Sequence, residues 1–226
     1  MFDSLLAMLP DQAFAAAVST FLARLPAALG VTLRITAGAT AIALSLGMII
    51  GLARVSAVRW ISAVAAGLVY VGRCIPLPPL QLLVYFLILS MMPIDATVAG
   101  MLAIGLLFAP YMAELFRSGI GVVPIGHIEA ARALGCSETV VRTRVILPLA
   151  TRIMLPAIGQ LVVGMLLNSA YVSQIGARDI TGVARNIINS MFITELWLVV
   201  AATYFVIAFP VSRLLSWLEK RLQVTW

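Results

Sequence analysis

Few side chains in this 226-residue protein are equipped for bond-making chemistry. His127 is its only imidazole, Lys220 its only lysine, and Cys74 and Cys136 its only thiols. A hydrolytic triad needs an imidazole oriented by one neighbour and poised against a nucleophile; His127 lies in a polar connecting segment and is read as a solvated residue. A phosphate-cradling loop of the form G-x-x-x-x-G-K-[ST] needs a lysine directly after glycine, whereas Lys220 follows Glu219. One histidine and two cysteines do not make an ordinary metal ligand set, so neither metal nor cofactor is predicted. The two cysteines are expected to pack as small apolar residues rather than as a disulfide.

What remains is the chemistry of recognition, and it gathers in two places. The first is EAARALGCSETVVRTRVILP, residues 129–148, where Glu129, Arg132, Glu138, Arg142 and Arg144 flank Gly135. Ala130, Ala131, Ala133 and Leu134 are strong helix formers, Gly135 permits the positive backbone angle that ends a helix, and Ser137 followed by Glu138 suits the start of another. An exposed helical elbow between Pro124 and Pro148 is predicted. Its alanines let another protein approach closely while the charges form a rim, the anatomy of a docking knob.

The second place is a scatter of polar groups inside oily segments. Arg73 stands beside a proline break at Pro76, Pro78 and Pro79, Glu114 lies one turn before Arg117, and Asn168, Ser169, Ser173 and Gln174 follow one another further on. A solute pathway through hydrocarbon needs such groups facing a cavity. Arg73 suits a carboxylate, carbonyls freed by the prolines suit an ammonium group, and the others offer neutral hydrogen bonds. Structural alternatives stand beside each: Arg73 as the partner of Glu114, Glu114 as part of an inner gate or as the partner of Arg117, and Asn168 with Ser169 stitching helices together.

The elements that position these residues follow from composition. The chain is 62% apolar and 11% charged, with a mean hydropathy of +1.09, far from the roughly half apolar and one quarter charged of soluble domains. Runs of about 20 apolar residues are read as membrane-spanning helices, because lipid leaves a backbone no other partners. Five fit: Ala27 to Ala53, Val58 to Met91 as one broken helix, Ala96 to Phe116, Val145 to Tyr171, and Leu196 to Leu215. The acidic N-terminal stretch reads as an amphipathic lead-in and not as a cleavable leader.

Net charge +6 does not indicate nucleic acid, since the basic residues are spread between oily segments and not gathered on one soluble face. They set orientation instead. With the N-terminus outside, ten of the fifteen basic residues fall on inner segments, Arg24, Arg178 and Arg185 fall outside, and Arg34 and Arg73 lie within spans. The elbow is then cytoplasmic, as is the C-terminus. The connection from Gly176 to Thr194 is outside and contains DITGVARNIINS, expected as a short interfacial helix. The expected fold is all-α: one polytopic transmembrane domain over residues 1–226 with five spans and a cytoplasmic elbow at about 124–148.

The elbow resembles the signature of the membrane permease subunits of bacterial ABC importers: E-A-A, three residues, G, nine residues, I, one residue, L-P. Here it is met by Glu129, Ala130, Ala131, Gly135, Val145 in place of isoleucine, Leu147 and Pro148. Two further segments resemble the polar amino acid branch of that family, Gly72 to Gln81 and Tyr111 to Ile120. A third, Leu166 to Gly176, has Leu167, Asn168, Ser169 and Ala170 where the branch has lysine, aspartate, threonine and serine. The resemblance implies a coupling helix that seats, with Arg132 among its contacts, on a separate ATP-binding subunit. It implies a non-enzymatic pore subunit in the bacterial inner membrane. It implies, too, a second permease copy or sister permease, surrounding membrane lipid, and a periplasmic solute-binding protein delivering a polar amino acid or related zwitterion. Two rivals stand against it: an ion-coupled secondary transporter, which favours inverted repeats and mid-membrane acids, and a membrane anchor with no pathway.

Overall fold

The computed structural model describes residues 11–91 and 93–222, and every regular element among them is helical. Helix α1 spans Asp11–Arg54, α2 Arg59–Arg73, α3 Leu77–Leu89, α4 Ala96–Gly121 and α5 Ile125–Ala133. A short α6, Glu138–Val140, runs through a π-helical turn, Val141–Ile146, into α7, Leu147–Asn168, which tightens into a 3-10 segment, Ser169–Ile175. Helices α8, Ile180–Met191, and α9, Leu196–Leu222, complete the chain.

Four helical stretches are long and apolar enough to cross a membrane, and the pair α2 and α3 supplies a fifth if it forms one broken span. The break falls at Cys74, Ile75 and Pro76, where Pro76 cannot donate a backbone hydrogen bond and biases the residue before it away from helix. Large apolar side chains such as Ile49, Leu83, Leu198 and Phe205 are turned outward, as expected where the solvent is lipid.

Two elements differ from the sequence expectation. The first helix starts at Asp11 instead of Ala27 and carries Pro26 inside it, because Ala17, Phe21 and Ala28 give its early turns a face that buries against α8 and α9. Residues 1–10 of the predicted lead-in lie outside the described residues. The helix expected at an interface is instead a core element: Ile180, Val183, Ala184, Ile187 and Ile188 of α8 are all buried.

Contacts resolve the chain into two compact units, each assembled from separated segments. The first contains residues up to Ala39, Leu77–Ile104 and Met165–Pro210. Its core joins α1 to α8 and α9 through Phe21, Ala28, Ile180, Ala184, Leu196 and Tyr204, with alanines allowing close helix approach. Asp179 caps α8: its carboxylate oxygens accept from the N–H of Gly182 at 3.0 Å and of Thr181 at 3.4 Å, and the Tyr204 hydroxyl donates to it at 3.4 Å. Burial pushes the Asp179 carboxyl up to about 6. Any side chain at position 182 would collide with the Ala177 carbonyl, so glycine is required beneath the cap. The second unit contains Thr40–Pro76, Gly105–Gly164 and residues from Val211 onward, and it holds the elbow.

Candidate functional site

The elbow is built by local chemistry. Pro124, in an extended conformation, starts α5, whose last turn closes with two bonds: Gly135 N–H to Arg132 O at 2.9 Å and Cys136 N–H to Ala131 O at 3.1 Å. This pair is the Schellman arrangement, and it needs a left-handed residue between. Gly135 supplies it with φ of 77°. The Ser137 hydroxyl then accepts from Val140 N–H at 3.5 Å to start α6. The π turn ends at Ile146, with Leu147 N–H bonded to Arg142 O. That wide turn immediately precedes Pro148, whose ring and missing N–H disrupt a regular helical ladder at this point.

Across the turn Arg132 grips Glu138 in a forked pair, Nε to Oε1 at 2.7 Å and an Nη to Oε2 at 3.2 Å. The sequence placed Arg132 on the docking rim; the structure also gives it the task of holding the two arms of the elbow together. Ala131 is buried, while Glu129, Ala130, Gly135, Leu147 and Pro148 are exposed. Leu134, at the tip, is 83% exposed, an apolar residue at the summit of a polar segment.

The elbow is tied to the spans beneath it. Val123, Ala150 and Met154 form a buried cluster with Ile128 of α5, Ile146 of the π turn, and Leu115, Phe116 and Ile120 of α4. A displacement of α5 is therefore passed to the ends of α4 and α7 by packed side chains, since close-packed interiors do not compress.

The second unit also contains a polar cavity of about 440 Å³ lined by Arg73, Tyr111, Glu114, Ser118, Gln160, Glu219 of α9 and apolar residues of α4 and α7. Glu114 is clamped by Arg117 Nε at 2.9 Å and by Arg54 at 3.2 Å. Arg73 is not its ion-pair partner: the Arg73 guanidinium lies over the Tyr111 ring, 5.1 Å from its centroid. Arg117 was legible from its i, i+3 spacing. Arg54 was not, because nothing in the sequence pairs the end of α1 with the later turns of α4.

The remaining predicted residues lie in the first unit. Ser169 and Ser173 are buried and spend their hydroxyls on their own helix, donating to Leu166 O at 2.7 Å and Ala170 O at 2.8 Å. Gln174 Oε1 accepts from Gln81 Nε2 at 3.2 Å, and the same Nε2 donates to Tyr171 O at 2.8 Å. Gln81 thus fastens α3 to the 3-10 segment, and its buried Oε1 has no partner among the described residues. Asn168 is the last residue of α7, and Pro76 lies exposed in the break before α3. Gln81 is the residue the sequence undervalued; its signal was a lone amide inside an oily helix.

Residues 43–224 match the family model of the binding-protein-dependent transport system inner membrane component. The chain belongs to this family. It is 34% identical over 182 residues to the nopaline transport system permease protein of Agrobacterium fabrum, a match covering 75% of this chain and 76% of that one. It is 32% identical over 204 residues to the octopine transport system permease protein of Rhizobium radiobacter, covering 84% and 83%. A crystal structure of an amino acid ABC transporter with histidines contains a chain superposing with a TM-score of 0.84 at 34% identity, covering 95% of this chain and 99% of that one. A methionine ABC transporter in an inward-facing conformation shares the fold, with a TM-score of 0.76 at 17% identity. As a permease of this family the chain is a membrane-embedded transporter component, and its all-helical, multi-span architecture is that of the family's membrane subunits.

Proposed function

We propose that this permease forms the translocation pathway of an ABC importer for a polar amino acid or amino-acid conjugate, with residues 124–148 as the cytoplasmic seat of a partner ATPase. The observation that carries this is the elbow: a rigid, twice-bonded helical turn with Leu134 and Glu129 outward and Ile128 locked into the ends of two spans. ATP-driven closure of the partner subunits would pull two such elbows together and rock the attached helices, opening the pathway alternately to each side. The N-terminus lies outside and the C-terminus in the cytoplasm of a bacterial inner membrane. A second permease, identical or sister, completes the path, and a periplasmic binding protein delivers the solute.

The solute class follows from charge. In the 440 Å³ cavity Glu114 is already shared between Arg54 and Arg117, which leaves Arg73, held by an aromatic face, to receive a carboxylate and Glu219 of the same lining to receive an ammonium group. The relatives named for nopaline and octopine transport favour an amino-acid conjugate among the candidates. The test is co-purification and uptake: Gly135→Val, a β-branched residue that tolerates the left-handed angle least, should weaken ATPase association and solute uptake together in proteoliposomes, while leaving the permease folded. Uptake that survives loss of the ATPase would overturn the assignment and favour an ion-coupled carrier.

A further inference from the structure

Three basic residues that the charge pattern sets apart from the arginine-rich side meet in one groove of the first unit. Arg24 and Arg34 stand ten residues apart on α1, about 15 Å along the helix axis. They share a face with Ala27 and Val31, and Arg178 joins them from the loop before α8. The groove encloses about 730 Å³, and its floor is Ala27, Ala28, Val31 and Val183. Arg34 and Arg178 continue into an adjoining recess of about 420 Å³ that also holds Asp95.

None of the three arginines forms a salt bridge among the described residues. Arg34 donates through Nε to Gly30 O of its own helix, at 3.3 Å. Of the carboxylates nearby, Asp95 caps α4 by accepting from Thr97 N–H at 3.0 Å and shares the recess with Arg34 and Arg178 without a salt bridge to either among the described residues, and Asp179 is buried at the start of α8. The two other basic residues outside the inner set are each engaged, Arg73 on Tyr111 and Arg185 with Ser173 O. Three guanidinium groups in one groove repel one another, and the single carboxylate of Asp95 in the adjoining recess leaves the cluster with a net positive charge that an anion between them would offset.

The groove therefore combines a cationic rim with an apolar floor on a helix long and oily enough to span a membrane. That combination is complementary to an amphiphile with an anionic head. Basic pockets between membrane helices hold phosphorylated lipid head groups on the cytoplasmic side by this charge complementarity, and the same attraction acts on anionic lipid of the outer leaflet, where Arg24 and Arg178 are expected. We infer that the groove is a specific site for an anionic phospholipid, its phosphate engaged by Arg24, Arg34 and Arg178 and an acyl chain lying along the alanine and valine floor. The site is independent of which solute the permease moves.

The test uses the full-length permease in nanodiscs of phosphatidylcholine with a minor fraction of phosphatidylglycerol, and mass spectrometry of the lipids retained on extraction into mild detergent. Phosphatidylglycerol should be enriched on the wild-type protein over its share of the bilayer. Enrichment should fall about fivefold for each arginine replaced by glutamine and roughly a hundredfold for all three, while Arg213→Gln, remote from the groove, should leave it unchanged. If the triple variant does not fold, Arg178→Gln alone, an exposed loop substitution, carries the same comparison. Equal retention by wild type and variants would overturn the inference. So would displacement of the lipid by inorganic phosphate at matched concentration, which marks a small-anion site, or variants that separate permease pairs without altering lipid retention, which marks a contact between copies.

Discussion

Replacing Gly135 isolates the backbone angle on which the elbow depends. Its φ of 77° lies in the left-handed region, and a Cβ added there meets nothing within 4 Å. A substitution at this position is therefore penalised by conformation and not by collision. For an ordinary L-residue the left-handed region costs roughly 1–2 kcal/mol, which corresponds to about a 5- to 30-fold fall in the population of the intact turn. The cost is local: the buried cluster around Met154 does not involve residue 135, so the melting temperature of the permease should scarcely move. Asparagine tolerates the left-handed region better than alanine, and a β-branched residue tolerates it least. Binding of the partner ATPase to the reconstituted permease should accordingly weaken in the order Gly, Asn, Ala, Val, with uptake following. An alanine variant that binds the ATPase as tightly as wild type would refute the conformational argument, and an asparagine variant as weak as valine would show that side-chain volume decides instead.

Reversing Arg132 or Glu138 alone should loosen the turn slightly, as for exposed ion pairs, and the double exchange Arg132→Glu with Glu138→Arg should restore ATPase binding; failure of the exchange would mean that Arg132 contacts the partner directly. Leu134→Asp should weaken ATPase docking at least tenfold without changing the melting temperature, checked by pull-down and thermal unfolding in parallel. Glu114→Gln removes the charge shared by Arg54 and Arg117 in a partly exposed site and should cost about 1 kcal/mol of stability, read as a slightly lowered melting temperature, whereas Arg73→Gln should leave stability intact and raise the KM for a carboxylate solute roughly 10- to 100-fold. Asp179, with its carboxyl pushed up to about 6, binds its proton more tightly folded than unfolded, so its contribution is complete below about pH 4 and is lost as pH rises through about 6, a change of roughly 3 kcal/mol. Asp179→Asn, which keeps an oxygen for the Gly182 N–H, should flatten the melting temperature between those limits, and an unchanged slope would contradict the assignment.

The elbow was legible residue by residue because every interaction that shapes it is local. Gly135, Ser137 and Pro148 act on bonds within five positions, so their types and order specify a helix, a left-handed turn and a new helix before any tertiary contact forms. The spans were legible for a related reason, since hydrocarbon demands long uninterrupted apolar runs. Helix ends were read less well. Helix α1 reaches back to Asp11 because Phe21 and Ala28 have a packing partner in α8, and no property of residues 11–27 taken alone announces that partner.

Polar groups inside the spans show the same division more sharply. That Arg73, Glu114 and Gln81 must each be satisfied was evident from their surroundings of Leu, Ile and Ala, because a buried polar group without a partner is costly. Which partner each takes depended on helix packing: Arg54 and not Arg73 for Glu114, Tyr111 for Arg73, and the carbonyl of Tyr171 for Gln81. Sequence by itself determined the helical class, the long apolar runs, the helix, turn and helix of the elbow, and the family signature, since these rest on length, periodicity and short-range backbone bonding. Only the tertiary structure decided the burial of α8, the arginine clamp on Glu114 and the meeting of Arg24, Arg34 and Arg178 in one groove. Side chains far apart in the chain are brought within a few ångströms by the register at which helices pack, and that register is a property of all the helices at once.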